Sequence, residues 1–416
     1  MKKINIGLVS LAPLALLALM RPQTQNKMPI QNLKPKTQNS SLVEANNSFG
    51  VKLLQTLAKQ DGKSNIVISP LSLSVALQMT YNGADGATAK AMAQALEVKN
   101  LSRTALNQEN AALLALLAEP TSGVELHIAN SLWTRQTLTP LPDFVQRNQS
   151  YYKATLGDLS GGADAINGWV SQQTNAKIPT IVTPADVSKS EAILANAVYF
   201  KGAWAKAFKT PDTKTEKFTP ESGQAQEVPL MKQSGRFRYF ENEKYQAVGL
   251  PYRQGVSAPA DKIMKHASVE MTILLPRPGV KFHDFIAGLT PATFTPNAAL
   301  RDGDVGLPRF KTEYSAEMKA PLSALGMGLA FDAQKANFSK MFSGGKFYIG
   351  FVKHKTYLDV NEQGTEAAAA TAVGMTRMAM PRPQNPFTMI VNRPFVFAIR
   401  DIHSGAILFV GAISRP

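Results

Sequence analysis

The chain has 416 residues, 44% of them hydrophobic and 18% charged, with a formal charge of +15 and no cysteine. This is enough apolar material for a sizeable core, and the missing cysteines exclude disulfides, thiolate nucleophiles and zinc–thiolate sites. The basic surface could attract a polyanion, but a diffusely basic protein is the reading preferred. Lys and Arg are scattered without interleaved aromatics, so no nucleic acid is expected.

In chain order, Lys2 and Lys3 precede an apolar run from Ile4 to Met20, the pattern of a signal peptide or an N-terminal anchor over residues 1–20. The protein is therefore expected to be exported, whether secreted, periplasmic or membrane-tethered. Residues 21–43 begin with a stretch rich in Gln, Asn, Lys and Pro, which cannot bury a core and reads as a flexible polar tether. A single domain is expected over 44–416. Within it Phe49, Leu53, Leu54 and Leu57 recur at helical spacing over 48–60. Asn65-Ile-Val-Ile-Ser-Pro reads as a short buried strand leading into a helix, with Ser69 as N-cap and Pro70 at the first helical position. That helix turns Leu73, Ala76, Leu77 and Tyr81 inward and stops at Asn82-Gly83. Further helices fit 88–96, 103–118 and 163–175. Strands are expected at 125–132, 191–200, 269–275 and 305–310. Two more, at 395–400 and 406–413, are joined by a turn at 401–405. Residues 253–268 read as a polar surface loop. Helices gathered early and strands late make an α+β chain.

Little in the sequence points to catalysis. His127, His266, His283, His354 and His403 lie in no metal-ligand spacing, and no GxSxG elbow offers a serine nucleophile. Gly62-Lys63-Ser64 lacks the upstream glycine of a phosphate loop. No metal or cofactor is expected, and the chain does not read as an enzyme.

The most informative stretch is Glu362-Gln-Gly-Thr-Glu-Ala-Ala-Ala-Ala-Thr371, continued by Ala372-Val-Gly-Met-Thr-Arg-Met-Ala-Met-Pro381. It resembles the proximal hinge and reactive loop of the serpins. Other segments resemble that family in the same order: Asn65 to Ser72, Asn196-Ala-Val-Tyr-Phe-Lys-Gly-Ala-Trp204, Leu307-Pro-Arg-Phe310, Ala336-Asn-Phe-Ser339, Asn392-Arg-Pro-Phe395 and the final run 408–416.

The resemblance implies a serpin fold, with helices clustered around three β-sheets. Its central five-stranded sheet accepts the reactive loop, residues 362–390, as an extra strand. It further implies a monomeric suicide-substrate inhibitor of a serine protease, whose cut loop inserts and traps the acyl-enzyme. The alternative within the family is a non-inhibitory carrier or binding protein. In the hinge (Glu362, Gly364, Thr365, Glu366, Ala367, Ala368, Ala369, Ala370 and Thr371) the small residues Thr365, Ala367, Ala369, Thr371 and Val373 alternate toward the core. The complementary set begins with Glu366 and should face solvent. Ser69, Ser72, Asn196 and His354 match the family's "shutter", a hydrogen-bond group gating the sheet, and protonation of His354 is expected to loosen it. Trp204 and Arg309 match the "breach", where insertion starts, with Arg309 paired to Glu362. The family's usual hinge length, counted from Glu362, puts the reactive bond at Met378–Ala379, which suits chymotrypsin-like or elastase-like enzymes. The neighbouring Arg377–Met378 suits trypsin-like ones. Pro381, Pro383 and Pro386 stiffen a return segment longer than is typical.

Overall fold

The computed structural model describes residues 40–60, 64–118, 124–253, 268–343, 347–366 and 385–416. The expected leader, nearly all of the tether, residues 254–267 and loop residues 367–384 with both candidate reactive bonds lie outside them.

The strands in chain order are β1 (Ile66–Ile68), β2 (Val124–Thr134), β3 (Thr155–Asp158), β4 (Ala192–Ala203), β5 (Lys214–Phe218), β6 (Gln226–Glu241), β7 (Tyr245–Pro251), β8 (Val269–Pro276), β9 (Ala299–Pro308), β10 (Phe310–Glu317), β11 (Phe351–Val360), β12 (Gly364–Thr365), β13 (Phe387–Ile390), β14 (Phe395–Asp401) and β15 (Ile407–Ile413). Five of them, in the order β10-β11-β4-β2-β3, make the central sheet, and the two-residue β12 is wedged between β11 and β4. β4 is buried almost throughout, as a continuous apolar strand covered on both faces must be.

The remaining strands form one hydrogen-bonded network, β1-β15-β14-β8-β7-β6-β9-β13 with β5 on β6. Two of the three expected sheets are thus continuous. The physical reason is the length of β6: its 16 residues pair with β5, β7 and β9 along different stretches. Its weak alternation of polar and apolar residues hides it from a sequence reading.

The helices that bear on the site are α1 (Ser41–Gln60), α2 (Pro70–Tyr81), α3 (Gly86–Ala95), α4 (Arg103–Leu117), α5 (Pro142–Tyr152) and α6 (Gly162–Gln173). Helix α1 begins before Ser48, and the tether drawn to residue 43 is too long. Leu42 and Val43 are buried against the core, so this stretch gains more as helix than as solvated linker. Helix α2 has its expected cap, with Ser69 Oγ accepting the Ser72 amide at 3.3 Å and Pro70 in the first turn. All twelve of its residues are buried, not one face alone, because it lies between α1, β4 and β15. Its polar residues are therefore hydrogen-bonded inside: Ser74 Oγ and Gln78 Nε2 both donate to Asn46 Oδ1 at 2.6 and 2.9 Å.

Candidate functional site

The site is the seam between β11 and β4. Over most of its length these strands pair directly and in parallel, from Phe351↔Ile193 to Thr356↔Val198. At one end they separate, and β12 fills the gap antiparallel to both, with Thr365 opposite Val360 on one side and Gly202 on the other. The expected hinge therefore starts inside the sheet.

Backbone crowding explains the glycine at its first position. Gly364 has φ 155°, and a Cβ built on it would lie 2.0 Å from the Gly202 carbonyl oxygen and 2.8 Å from Ala203 Cα. Only a residue without a side chain lets the two backbones approach so closely. Gly364→Ala should therefore unseat β12. The expected result is amide exchange across 361–366 at least about tenfold faster than in the parent, read by hydrogen–deuterium exchange. Protection equal to the parent's would refute the crowding argument.

Thr365 is fully buried, and its Oγ1 lies 2.7 Å from the Tyr252 hydroxyl. The Tyr252 ring is stacked on Trp204, with 4.6 Å between centroids and 16° between planes. Trp204 in turn holds the chain leading into the hinge: its backbone amide donates to Gln363 O at 2.8 Å and its indole Nε1 to Asn361 O at 2.9 Å. Phe208, edge-on to Trp204, donates its amide to Glu362 O at 2.9 Å. The sequence pointed to Trp204 and Thr365. It missed Tyr252, which closes the gap between them, and the only signal for it is an aromatic at the end of the β7 run.

Glu362 is 1% exposed and is held by Arg309, whose Nε lies 2.8 Å from each carboxylate oxygen, and by Thr213 Oγ1 at 2.6 Å. Burial alone would raise its pKa, but the hydrogen bonds from Arg309 and Thr213 outweigh it and hold the carboxyl below the usual range. The expected Arg309–Glu362 pair is thus present, with Thr213 as an unforeseen third member. Glu366 departs from expectation. It is expected to face solvent, yet its side chain is only 8% exposed and is paired with Lys177. Ala367 to Thr371 fall outside the described residues.

Further along the seam Ser69, Ser72, Asn196 and His354 come together as anticipated. The Ser69 amide donates to His354 Nε2 at 3.1 Å, so this nitrogen is the acceptor and Nδ1 carries the proton. Nδ1–H then donates to Asn196 Oδ1 at 2.7 Å. The Asn196 amide nitrogen donates to Ser72 Oγ at 2.5 Å and to Asn130 Oδ1 at 2.6 Å, which adds a member the sequence did not reveal. His354 and Asn196 are register partners on β11 and β4, so their hydrogen bond bridges the seam itself. The expected loosening by protonation of His354 does not fit its surroundings. The ring is completely buried and faces no carboxylate in this network, so burial drives its pKa down to about 3 and it stays neutral in the folded sheet.

The chain matches the family described as Serpin (serine protease inhibitor) over residues 44–416. It is 33% identical over 388 residues to an uncharacterised serpin-like protein of Thermococcus kodakarensis, covering 91% of this chain and 87% of that one. It is 32% identical to leukocyte elastase inhibitor A of Mus musculus, covering 90% and 99% of the two chains. Among solved structures it superposes on the native state of the thermophilic serpin tengpin with a TM-score of 0.81 and 32% identity, covering 91% of this chain and 95% of tengpin. The fold, the split seam and these matches over nearly the whole domain lead to one conclusion: the chain belongs to the serpin family.

Proposed function

We propose that this protein is a suicide-substrate inhibitor of serine proteases, and the observation that carries the reading is β12, already seated between β11 and β4. In this reading the target's serine attacks the carbonyl of Met378, or of Arg377, and the cut loop follows β12 into the seam before the acyl-enzyme is hydrolysed. The seam's geometry supplies the drive. Insertion exchanges one parallel ladder, from Phe351↔Ile193 to Thr356↔Val198, for two antiparallel ones, since β12 runs antiparallel to both neighbours. Antiparallel pairing is slightly the more stable per residue. At about 1 kcal/mol net per ladder bond, a new strand of roughly ten residues adds on the order of 10 kcal/mol.

The same movement must part His354 from Asn196, whose 2.7 Å hydrogen bond lies across its path. The Ser69, Ser72, Asn196 and His354 group then acts as a gate. It holds the seam closed until cleavage frees the loop, at a cost of about 1–3 kcal/mol for the bond broken. The breach residues hold the chain at Glu362, Trp204 through the carbonyls of Asn361 and Gln363 on either side of it and Arg309 through its carboxylate, so that Thr365 already sits in the seam before the rest of the loop follows. We propose further that the leader exports the chain, so that its targets are proteases outside the cytoplasm.

Incubation of the protein with trypsin, chymotrypsin and elastase tests this. The expected product is an SDS-stable complex together with a released peptide whose first residue is Ala379, or Met378 if the bond after Arg377 is cut. Cleavage by every protease with no complex would overturn the inhibitory reading and favour a carrier.

A further inference from the structure

The turn after α6 carries two consecutive residues in the left-handed region, Asn175 at φ 49° and Ala176 at φ 60°. Asparagine tolerates this conformation. Alanine gains nothing from it, so the surroundings must impose it. The Ala176 and Lys177 amides donate to the carbonyls of Ser171 and Thr174 at 2.8 and 2.9 Å, and the Ile178 amide donates to Thr174 Oγ1 at 3.1 Å. Ile178 itself is fully buried, which pins the turn from beneath. The result is the placement of Lys177, whose ammonium lies 2.5 Å from the Glu366 carboxylate and 5.7 Å from the centroid of the Tyr357 ring on β11.

Glu366 is the residue directly after β12, and it too is left-handed, at φ 55°. Its amide donates to Asp359 O at 2.7 Å. Its carboxylate, 8% exposed, lies beneath a lysine that is 41% exposed and reaches it from the solvent side. Burial pushes this carboxyl above its usual range in spite of Lys177 beside it. A buried carboxylate of this kind depends on its cation.

We propose that Lys177 is a positioning residue for the inhibitory reaction, a clasp that keeps the hinge seated two residues deep in the central sheet. Before cleavage the loop is tethered at its far end by β13, which pairs with β9, so deeper insertion is restricted. Withdrawal is the movement open to it, and a two-residue strand has few ladder bonds to oppose that. Withdrawal would drag Glu366 out from under Lys177, and the ion pair resists it. Insertion after cleavage then starts from a seated strand and need not find the seam anew, which gives it a lead over hydrolysis of the acyl-enzyme. The role in inhibition rests on the reading proposed above.

The test uses Lys177→Met, which keeps an unbranched stem near Tyr357 and removes the charge. Deuterium uptake across 361–366 should quicken at least about threefold, and the moles of inhibitor consumed per mole of protease trapped should at least about double. Lys177→Arg should retain both parent values, and the charge swap of Lys177→Glu with Glu366→Lys should restore them. Uptake unchanged in a folded Lys177→Met protein overturns the clasp. Faster uptake with unchanged or lower stoichiometry overturns its part in inhibition. If the parent protein traps no protease, the inhibitory reading fails, and the uptake measurement alone decides the clasp.

Discussion

Thr365→Arg should turn the protein from an inhibitor into a substrate. Thr365 has no exposed surface and is covered by the hydroxyl of Tyr252, whose ring is stacked on Trp204. A guanidinium in that position would be buried where a small hydroxyl now meets Tyr252, which costs several kcal/mol. It must either stay out of the seam or stall there, and the acyl-enzyme has time to hydrolyse. Since each 1.4 kcal/mol is about a factor of ten, the stoichiometry of inhibition should rise at least about tenfold, with cut inhibitor and active protease as the products. Thr365→Val is the control. It matches the shape and loses only the hydroxyl contact, so complexes should still form. A near-equimolar SDS-stable complex from Thr365→Arg would show that Thr365 need not enter the sheet.

The second large effect is on stability against pH. The His354 pKa is pulled down to about 3 by complete burial, whereas in the unfolded chain it is about 6.5. Between these values the unfolded chain binds a proton that the folded sheet refuses, so stability rises with pH across that window. The contribution is fully present above pH 6.5 and is lost progressively as pH falls toward 3, amounting to a few kcal/mol over the whole range. Denaturant unfolding of the parent should show no His354 contribution to the slope between pH 7 and 8 and a decline from pH 6.5 to 4.5, before most carboxylates titrate. In His354→Ala that decline should shrink, on a lower plateau, because the Ser69 amide and Asn196 Oδ1 lose their partner. Parallel pH profiles for the two proteins would rule out His354 as the source. Acid thus weakens the seam by favouring the unfolded chain, not by charging the histidine inside an intact sheet.

Much of the fold is visible in the residues themselves where local chemistry is strong. The Ser69-Pro70 start of α2, the apolar run of β4 and the closing pair β14 and β15 are near the expected limits because caps, prolines and continuous apolar stretches act locally. The polar, loosely alternating β6 carries no such signal and owes its form to partners far along the chain. Resemblance supplied the site residues Glu362, Thr365, Trp204, Arg309, Asn196 and His354. Their third parties, Thr213, Tyr252 and Asn130, lie 149, 113 and 66 residues from the groups they touch, and nothing in their own neighbourhoods marks them.

The hinge shows most clearly where the two kinds of information divide. Its small alternating side chains and its glycine are written in the sequence, and by themselves they determine that 362–373 can become a strand packed on one face. They do not determine how far it has entered. That depth is a tertiary quantity, set by the carbonyl of Gly202 against Gly364, by Tyr252 over Thr365 and by Lys177 over Glu366. Side-chain size and alternation are properties of neighbouring residues, whereas the point at which an inserting strand stops is a balance of contacts between segments brought together only by folding.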